Sequence, residues 1–430
     1  MTFNRSEAIR FGWDTRKGIS NNKHMEMFQE KLKSTSDFTT PAGNQDIETD
    51  ANKKQKKGYK GLRIPSKVQI LSKIGLSRTG ELIGVDIGTS SIKICTVKKT
   101  KTGFELLNIG RKTYNTNLLT EGHIVDQEFV AYEIKNLISK NKIKSTIAAS
   151  ALSSYGAITK KIRLPLTEDM DIEKIKKSGS IFDNASLIET EIENSIPLQL
   201  KDVYYSYYVL GLDPEDENFI NILFTVSKKE IVDGFINTFK IAGLKLVLLD
   251  LDLICLVNIV EQIFGLQGAP ILIVDLGASI MNMAIVKGED IELTREIMLG
   301  GSYLTEQIQK ALKISYEEAE EKKIKADPEV TYLFEDFIFN VSTEINKTIN
   351  FYLSTKPNQR INKIYLTGGT SLLEGIKDKI YNDTNIDIEV IDPFLLVGGE
   401  GVVKQNLYKE LKDVCSVALH LSTRIDDVAR

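Results

Sequence analysis

The sequence has 430 residues, of which 42% are hydrophobic and 27% charged, the balance of a water-soluble chain with room for two or three domains. Its three cysteines include no Cys-x-x-Cys pair and its three histidines are scattered, which disfavours disulfides, a zinc site and a histidine-based catalytic triad. The most apolar run, 244–264, contains four charged residues and the N-terminus has no signal-peptide core, so we expect a cytoplasmic protein without a membrane span.

The formal net charge of −4 is unevenly distributed along the chain. Residues 1–80 carry sixteen Lys/Arg and eight Asp/Glu, so the remaining body is acidic, and we expect no nucleic-acid partner. The composition predicts that 1–80 is a basic, disordered tail. Four apolar residues in it have helical spacing: Ile64, Val68, Leu71 and Ile74. We favour a solvated linker with one short packed helix over a basic amphipathic helix lying on anionic lipid.

From Glu81 onward the hydrophobic pattern becomes regular. It predicts strands at 82–86, 92–97, 104–109, 146–150, 157–164 and 244–249. It predicts helices at 128–139, 228–242 and 252–264, the second opening with a Ser227…Glu230 capping box. Because strands and helices alternate in this way to about residue 390, we predict an α/β fold.

An internal repeat organises this body. The segment 83–98 aligns with 272–287, and the spacing from Asp86 to Lys98 equals that from Asp275 to Lys287 without a gap. Each copy reads as an apolar strand, an Asp-x-Gly turn with small polar residues and a second apolar strand. Two copies predict two similar domains facing each other, which we place at 81–268 and 269–430.

The repeated turn has the chemistry of a phosphate-binding hairpin. Gly88 and Gly277 allow backbone N–H groups to approach an anion closely, and the carboxylates of Asp86 and Asp275 can hold Mg²⁺ or its waters. Hydroxyl groups in the first copy can donate to the same phosphates; they belong to Thr89, Ser90 and Ser91. An ordinary hairpin turn explains one Asp-x-Gly copy, but two matched copies favour a nucleotide gripped from both sides.

A third motif, 364–374, reads as a buried strand, a Gly368-Gly369 turn and a helix opening with a Ser371…Glu374 capping box. A glycine pair after a strand lets a flat group such as adenosine lie against the backbone. The sequence has no GxxxxGK[ST] phosphate loop and no GxGxxG opening a helix after the first strand, so P-loop and Rossmann nucleotide sites are unsupported.

These three motifs in this order resemble the actin-like ATPase superfamily, which includes actin, sugar kinases, heat-shock chaperones, FtsA and MreB. Closer similarity to the PilM family of type IV pilus assembly proteins, over about 81–412, comes from five further stretches: 191–198 with 202–207, 226–232, 242–252, 295–301 and 316–323. The sequence departs from that family in its longer basic tail and in 417–424, where the family's usual Gly-Leu-Ala-Leu-Arg-like ending is absent.

The resemblance implies an actin-like fold with two similar domains around a nucleotide cleft, an FtsA-like extra subdomain at about 166–226, and a last helix returning to the first domain. It implies ATP and Mg²⁺ as cofactors, with adenosine near Gly368, Gly369, Glu320 and Lys323. A surface ion pair explains Glu320 and Lys323 nearly as well. The further residues that it assigns to the nucleotide are Lys93, Ala278, Ser279, Asn282, Gly300, Gly301, Thr370 and Ser371.

The same resemblance implies a scaffold at the cytoplasmic face of the inner membrane, held there through a partner or the basic tail. Its partner would be the N-terminal cytoplasmic peptide of a PilN-like membrane protein, bound near a stretch that contains Tyr204, Tyr205, Tyr207 and Tyr208. Pilus assembly ATPases and a second copy of the chain are further partners to consider. An FtsA-like division protein and a small-molecule kinase remain the alternatives. We expect weak or partner-dependent ATPase activity, with Glu306 a water-positioning candidate by analogy only.

Overall fold

The computed structural model describes residues 81–101, 103–167, 185–213, 215–266, 268–288, 290–398, 408 and 411–428. The predicted tail at 1–80 lies outside the described residues. Among the described helices, none has both the length and the apolar composition needed to cross a membrane.

The described chain alternates strands and helices, as the pattern predicted. The strands are β1 Ile83–Ile87, β2 Ser91–Lys99, β3 Phe104–Thr113, β4 Leu119–Thr120, β5 His123–Ile124, β6 Ile147–Leu152, β7 Ile158–Pro165, β8 Val203–Leu212, β9 Phe219–Lys228, β10 Lys245–Leu251, β11 Ile271–Leu276, β12 Met281–Lys287, β13 Asp290–Ile297, β14 Lys363–Thr367 and β15 Ile388–Val390. The helices are α1 Gln127–Lys140, α2 Ala185–Ser195, α3 Lys229–Ile241, α4 Asp252–Phe264, α5 Gly301–Leu312, α6 Tyr316–Ile324, α7 Thr331–Thr355, α8 Ile376–Thr384, α9 Ser416–Thr423 and α10 Ile425–Val428.

Two five-stranded sheets share one topology. The first has the order β10-β6-β1-β2-β3 and the second β13-β12-β11-β14-β15. In each sheet the strand that opens the repeated segment pairs antiparallel with the next strand and parallel with a later one. The sequence repeat at 83–98 and 272–287 therefore corresponds to two equivalent hairpins, β1–β2 and β11–β12.

The strands at the centre of these sheets are mostly buried because helices cover them. Every residue of Ile147–Leu152 is buried, for example. Helices α1, α3, α4 and α9 pack against the first sheet, while α5, α7 and α8 belong to the core around the second. This burial of both faces is the arrangement expected of parallel strands in layered α/β proteins.

A third sheet stands apart from the two large ones. It is antiparallel, has the order β7-β9-β8, and forms a separate small core with helix α2. Because β7 leaves the first sheet directly after β6 and β9 leads into α3, this unit is an insertion between two parts of the first half.

Both capping boxes predicted from sequence are wrong. The Ser227 hydroxyl donates instead to the Gly156 carbonyl, 2.6 Å away, and α3 begins at Lys229 without a side-chain cap. The Ser371 hydroxyl donates to the Gly368 carbonyl at 2.7 Å, and α8 begins only at Ile376. In each case the serine hydroxyl donates to a nearby carbonyl, and the helix that follows begins without a side-chain cap. A genuine capping box opens α6 at Ser315.

Helix α9 packs on β1, β2, β6 and α4 of the first half. The contact is close because β1 carries Gly84, where a Cβ atom would lie 2.0 Å from the Ala418 carbonyl oxygen. Beside it, the buried guanidinium of Arg424 forms an ion pair with the buried carboxylate of Asp250 at the end of β10. The segment that departs from the family pattern is therefore part of the core.

Candidate functional site

The two repeated hairpins lie against each other between the large sheets. The Ser279 hydroxyl in the β11–β12 turn donates to the Thr89 hydroxyl in the β1–β2 turn, 3.2 Å away. Each turn closes with the same backbone bond, from Gly88 N to Ser91 O at 2.9 Å and from Gly277 N to Ile280 O at 3.0 Å. The sequence-predicted pair of hairpins is thus assembled into one facing arrangement.

The two acidic residues of the motif occupy equivalent positions. Asp86 lies opposite Lys93 in the β1–β2 register, and Asp275 lies opposite Asn282 in the β11–β12 register. The Lys93 ammonium group is 2.9 Å from the Asp86 carboxylate. Asn282 is buried, and its Oδ1 atom has no hydrogen-bond partner among the described residues. The site therefore offers an oxygen acceptor beside Asp275 that remains available for a donor.

The Gly368-Gly369 turn is in contact with the second hairpin. Gly368 has a φ of +89°, and a Cβ atom there would lie 2.4 Å from the Leu276 carbonyl and 2.5 Å from Oδ1 of Asp275. The Thr370 hydroxyl donates to the Gly277 carbonyl at 2.8 Å. Ser371 stabilises the turn itself through its bond to the Gly368 carbonyl. Glycine is required here because both the conformation and the close approach exclude a side chain.

The start of α5 and one face of α6 lie beside the second hairpin and the Gly368-Gly369 turn. The Lys323 ammonium group donates to the Glu320 carboxylate at 2.6 Å, to the Thr305 hydroxyl at 2.8 Å and to the Gly301 carbonyl at 3.1 Å. A Cβ atom on Gly301 would meet the Thr370 hydroxyl at 2.6 Å, and one on Gly300 would lie 2.4 Å from the Ala278 carbonyl. The Lys323 side chain is only 15% exposed, so its pair with Glu320 is embedded in the cleft wall.

Burial raises the pKa of the carboxylic acids inside the cleft. It raises the pKa of Asp275 to about 6, with the neighbouring Asp86 raising it further and Lys93 opposing the change. Burial and then the charge of Asp275 raise the pKa of Asp252 to about 8. The Asp252 carboxylate accepts bonds from the Ser154 hydroxyl at 2.9 Å and from its neighbour's N–H, Leu253 N, at 2.6 Å.

Sequence reasoning did not assign Asp252 to the site. A signal was present, because Asp252 follows a buried strand and opens a helix, as residues at the carboxyl ends of parallel strands often do. Strand β10 is parallel to β6, and β6 to β1, so their carboxyl ends meet at the edge where Asp86 lies. Glu306 is instead exposed on α5, and its described ion-pair partner is Lys310, 3.9 Å away.

Comparison with known proteins supplies the family. The family model described as type IV pilus assembly protein PilM matches residues 84–424. The cell division protein FtsA of Streptococcus pneumoniae serotype 2 (strain D39 / NCTC 7466) is 24% identical over 351 residues, covering 76% of this chain and 72% of that protein. FtsA of Enterococcus hirae is 21% identical over 368 residues, covering 74% and 79% respectively.

Among solved structures, one of a PilM–PilN type IV pilus biogenesis complex matches with a TM-score of 0.68 and 21% identity. The match covers 80% of this chain and 98% of that chain, so the two share their fold over nearly all of the smaller protein. Together with the family match over most of the sequence, the fold and the paired hairpins identify this chain as an FtsA-like, actin-like ATPase-fold protein that belongs to the type IV pilus assembly protein PilM family.

Proposed function

We propose that this pilus assembly protein binds MgATP between its two large sheets and acts as a scaffold that couples to a PilN-like membrane protein. The facing pair of Asp-Gly hairpins, joined at Thr89 and Ser279, is the observation that carries the nucleotide half of the proposal. The family match over 84–424 carries the pilus half. In this reading the protein works at the cytoplasmic face of the inner membrane.

The residues present fit a magnesium nucleotide. Three glycines, Gly300, Gly301 and Gly368, let these segments pack closely around the second hairpin, because a Cβ atom at each would lie within 2.4–2.6 Å of another protein atom. Asp86 and Asp275 would hold Mg²⁺ through its bound waters, and the ion would neutralise part of the phosphate charge. Lys93 would contact a phosphate oxygen directly. The adenosine would lie along the Gly368-Gly369 turn and α6, where Glu320 would accept from ribose hydroxyl groups.

Hydrolysis should be slow in the isolated protein. Asp252, whose pKa is raised partly by the charge of Asp275, is a candidate to accept a proton from an attacking water. Without Mg²⁺, burial and the charge of Asp275 raise its pKa to about 8, so in the metal-free protein it is mostly protonated and a poor general base at neutral pH. A partner that admitted water or moved Asp275 would lower this pKa and raise the rate.

Titration calorimetry with MgATP tests nucleotide binding. We expect one site per chain, and we expect Asp275→Ala to weaken the affinity by about tenfold or more, which corresponds to about 1.4 kcal/mol. The control is Asp378→Ala, which changes an exposed aspartate of α8 in the same half and should leave the affinity unchanged. Equal affinity of the Asp275→Ala variant and the wild type would rule out this site.

The partner surface that we propose lies at the third sheet. Its edge strand β8 carries the tyrosine run, and the Tyr205 hydroxyl donates to Glu189 of α2 at 2.5 Å. Tyr205 and Tyr207 pack into the small core, whereas Tyr204 packs toward the first sheet and donates to Asp233 at 3.2 Å. Among the described strands β8 is an edge, so its backbone and its amphipathic rings are suited to a peptide.

A binding assay with a labelled PilN-like N-terminal peptide tests the scaffold role. We expect micromolar or tighter binding that Tyr204→Ala weakens, while the exposed Tyr381→Ala on α8 does not. The similarity to FtsA makes a division-ring tail peptide the informative competitor. Binding to that tail but not to the PilN-like peptide would replace the pilus scaffold by a division function.

A further inference from the structure

A loop of the first half of the chain reaches a helix of the second half. Residues 114–118 connect β3 to β4, and the side-chain amide of Asn115 donates to the Glu317 carboxylate in the first turn of α6, 2.8 Å away. Strand β3 belongs to the first sheet, whereas α6 follows the second hairpin along the chain. The bond therefore joins the two halves at a point separate from the contact between the hairpin turns.

Both ends of this loop are fixed to the first hairpin. The backbone N–H of Tyr114 donates to the Ser90 carbonyl, and that of Leu118 donates to the Thr89 carbonyl, each at 2.8 Å. The Leu118 side chain is buried, so the loop is held against the body of the first half as well. Asn115 should therefore move together with the β1–β2 turn.

Glu317 is tied to the second hairpin through α5 and α6. A capping box at Ser315 holds the first turn of α6, where Glu317 lies. The Tyr316 hydroxyl donates to the Ser302 hydroxyl at 3.3 Å, and the backbone N–H of Ser302 donates to the Ala278 carbonyl in the β11–β12 turn at 2.7 Å. Glu317 should therefore move together with the second hairpin.

The bond between Asn115 and Glu317 lies close to segments that we propose to hold the nucleotide. On one side the loop contacts the turn that contains Thr89, and on the other side Glu317 lies one helical turn before Glu320 on the same face of α6. Both Asn115 and Glu317 are exposed to solvent. An exposed hydrogen bond of this kind contributes little free energy, so it can break and re-form readily.

We propose that residues 114–118 form a strap across the proposed nucleotide site, and that this strap controls how fast a nucleotide enters and leaves. The inference rests on the proposed binding of MgATP between the hairpins. A nucleotide passes between the hairpins only after the bond between Asn115 and Glu317 has opened. In this proposal the bond forms in both the free and the nucleotide-bound protein. Its loss should therefore accelerate entry and exit alike and leave the affinity nearly unchanged.

Displacement of radiolabelled ATP by excess unlabelled MgATP tests the strap with a probe that carries no added group on the ribose. We expect Asn115→Ala to raise both the association and the dissociation rate by about three- to tenfold, with less than about a twofold change in Kd. Glu317→Leu removes the acceptor and should have the same effect. Glu317→Gln keeps an acceptor oxygen for the Asn115 amide and should exchange nucleotide at about the wild-type rate.

The matched control is Glu321→Gln, which changes an exposed glutamate one turn farther along α6 and should leave both rates unchanged. Loss of a direct contact with the nucleotide would instead raise Kd, mainly through faster dissociation. The proposal is overturned if Asn115→Ala and Glu317→Leu exchange nucleotide at the wild-type rate. It is also overturned if a rise in Kd accounts for the whole change in their dissociation rates.

Chemical crosslinking tests the contact itself without a nucleotide. The three native cysteines are buried, so a short, reducible bifunctional thiol reagent can be directed to Asn115→Cys combined with Glu317→Cys. We expect this pair to be joined within one chain faster than Asn115→Cys combined with Glu321→Cys. The joined protein should take up MgATP at least about tenfold more slowly until the crosslink is reduced.

The two failures can be told apart. Equal joining of the two cysteine pairs would overturn the strap whether or not the protein binds MgATP. Complete lack of MgATP binding by the wild type would reject the nucleotide function, and with it the control of nucleotide entry by the strap. Normal MgATP binding with unrestricted uptake by the crosslinked protein would reject the strap alone.

Discussion

At the scale of single residues, two glycines with positive φ angles lie in the connection between β14 and α8, and they are required for different reasons. Gly368 and Gly375 have φ values of +89° and +83°. A Cβ atom on Gly368 would lie 2.5 Å from the Asp275 carboxylate, whereas on Gly375 its nearest neighbour would be a methyl group of Ile338 at 3.8 Å. A side chain at Gly368 would therefore collide with residues of the candidate site. At Gly375 only the positive φ angle disfavours other residues.

Substitution by alanine should separate these demands. We expect Gly375→Ala to lower the free energy of unfolding by about 1–2 kcal/mol through backbone strain, with MgATP affinity unchanged. Gly368→Ala should lower it further and abolish measurable MgATP binding, because the new methyl group displaces Asp275 or the Leu276 carbonyl. Urea unfolding and calorimetry of both variants provide the check. A Gly368→Ala protein that binds MgATP normally would contradict the placement of the adenosine turn.

Loss of the buried ion pair between Arg424 and Asp250 should make the free energy of unfolding depend on pH. Burial already raises the pKa of Asp250 to about 6 beside Arg424. Arg424→Ala leaves this carboxyl group buried without its cation, at a cost of about 3–5 kcal/mol in the free energy of unfolding. Because the folded variant binds a proton at Asp250, the loss should be larger at about pH 8 than at about pH 5.5.

The half-exposed pair of Arg295 and Glu344 supplies the control for this measurement. Arg295→Ala should lower the free energy of unfolding by about 1 kcal/mol or less, with little difference between the two pH values. Denaturant titrations of both variants at both pH values are sufficient. Equal losses for Arg424→Ala and Arg295→Ala would show that the buried pair is not an anchor of α9.

The residues of the paired hairpins could be predicted because each motif is local. Asp86 and Asp275 belong to short repeated segments whose strand-turn-strand pattern is readable without tertiary information. The bond from Ser154 to Asp252 could not be predicted, since the two residues lie 98 positions apart and only folding brings them together. The binding roles assigned to Glu320 and Lys323 stay predictions; the structure shows that the two side chains pair with each other beside Gly301.

At the scale of elements, the close packing of α9 on β1 depends on Gly84, which has no side chain. Gly84→Ala would place a methyl group 2.0 Å from the Ala418 carbonyl and 2.7 Å from the Ser422 nitrogen. Since both obstacles are backbone atoms of a helix, relief requires α9 to shift away from β1. We expect a loss of about 3 kcal/mol in the free energy of unfolding. Hydrogen exchange should become faster at 416–423.

Gly268→Ala is the matched control, because a Cβ atom there has no neighbour within 4 Å. It should change neither the free energy of unfolding nor the exchange rates of α9. A Gly84→Ala protein as stable as Gly268→Ala would mean that α9 packs less closely than the contact distances indicate.

Most elements were predictable to within a few residues because their apolar periodicity is strong. The helix predicted at 252–264 has those bounds, and the strand predicted at 104–109 extends to Thr113. Helix starts were less predictable. The Ser227 and Ser371 hydroxyl groups donate hydrogen bonds to carbonyl groups that lie close to them only in the folded protein. Tertiary partners overrode a local capping signal in both places.

At the scale of the whole molecule, charge divides the chain into a basic segment and an acidic body. Removal of residues 1–80 would take away a net charge of +8 from a protein whose net charge is −4. We expect the shortened protein to keep the melting temperature and MgATP affinity of the full chain, because that segment lacks a core-forming pattern. Thermal unfolding and calorimetry compare the two proteins directly.

Liposome flotation completes this comparison. The full chain should bind anionic vesicles more strongly than the shortened one at low salt, and the difference should vanish at high salt. Equal recovery with neutral and anionic vesicles would identify residues 1–80 as a plain linker. A large drop in melting temperature on shortening would instead show that the segment packs on the body.

The packing of α9 on β1 also constrains how the protein is made. A ribosome synthesises β1 first, together with Gly84 and the Asp86 turn, yet the helix that covers this strand follows more than three hundred residues later. During translation an apolar face of the first sheet therefore stays uncovered until α9 has been synthesised. The second sheet, in contrast, is formed from segments that follow one another along the chain. The nascent chain would need a chaperone for its earlier half, and stalled chains released before Ser416 would be substrates for proteolysis.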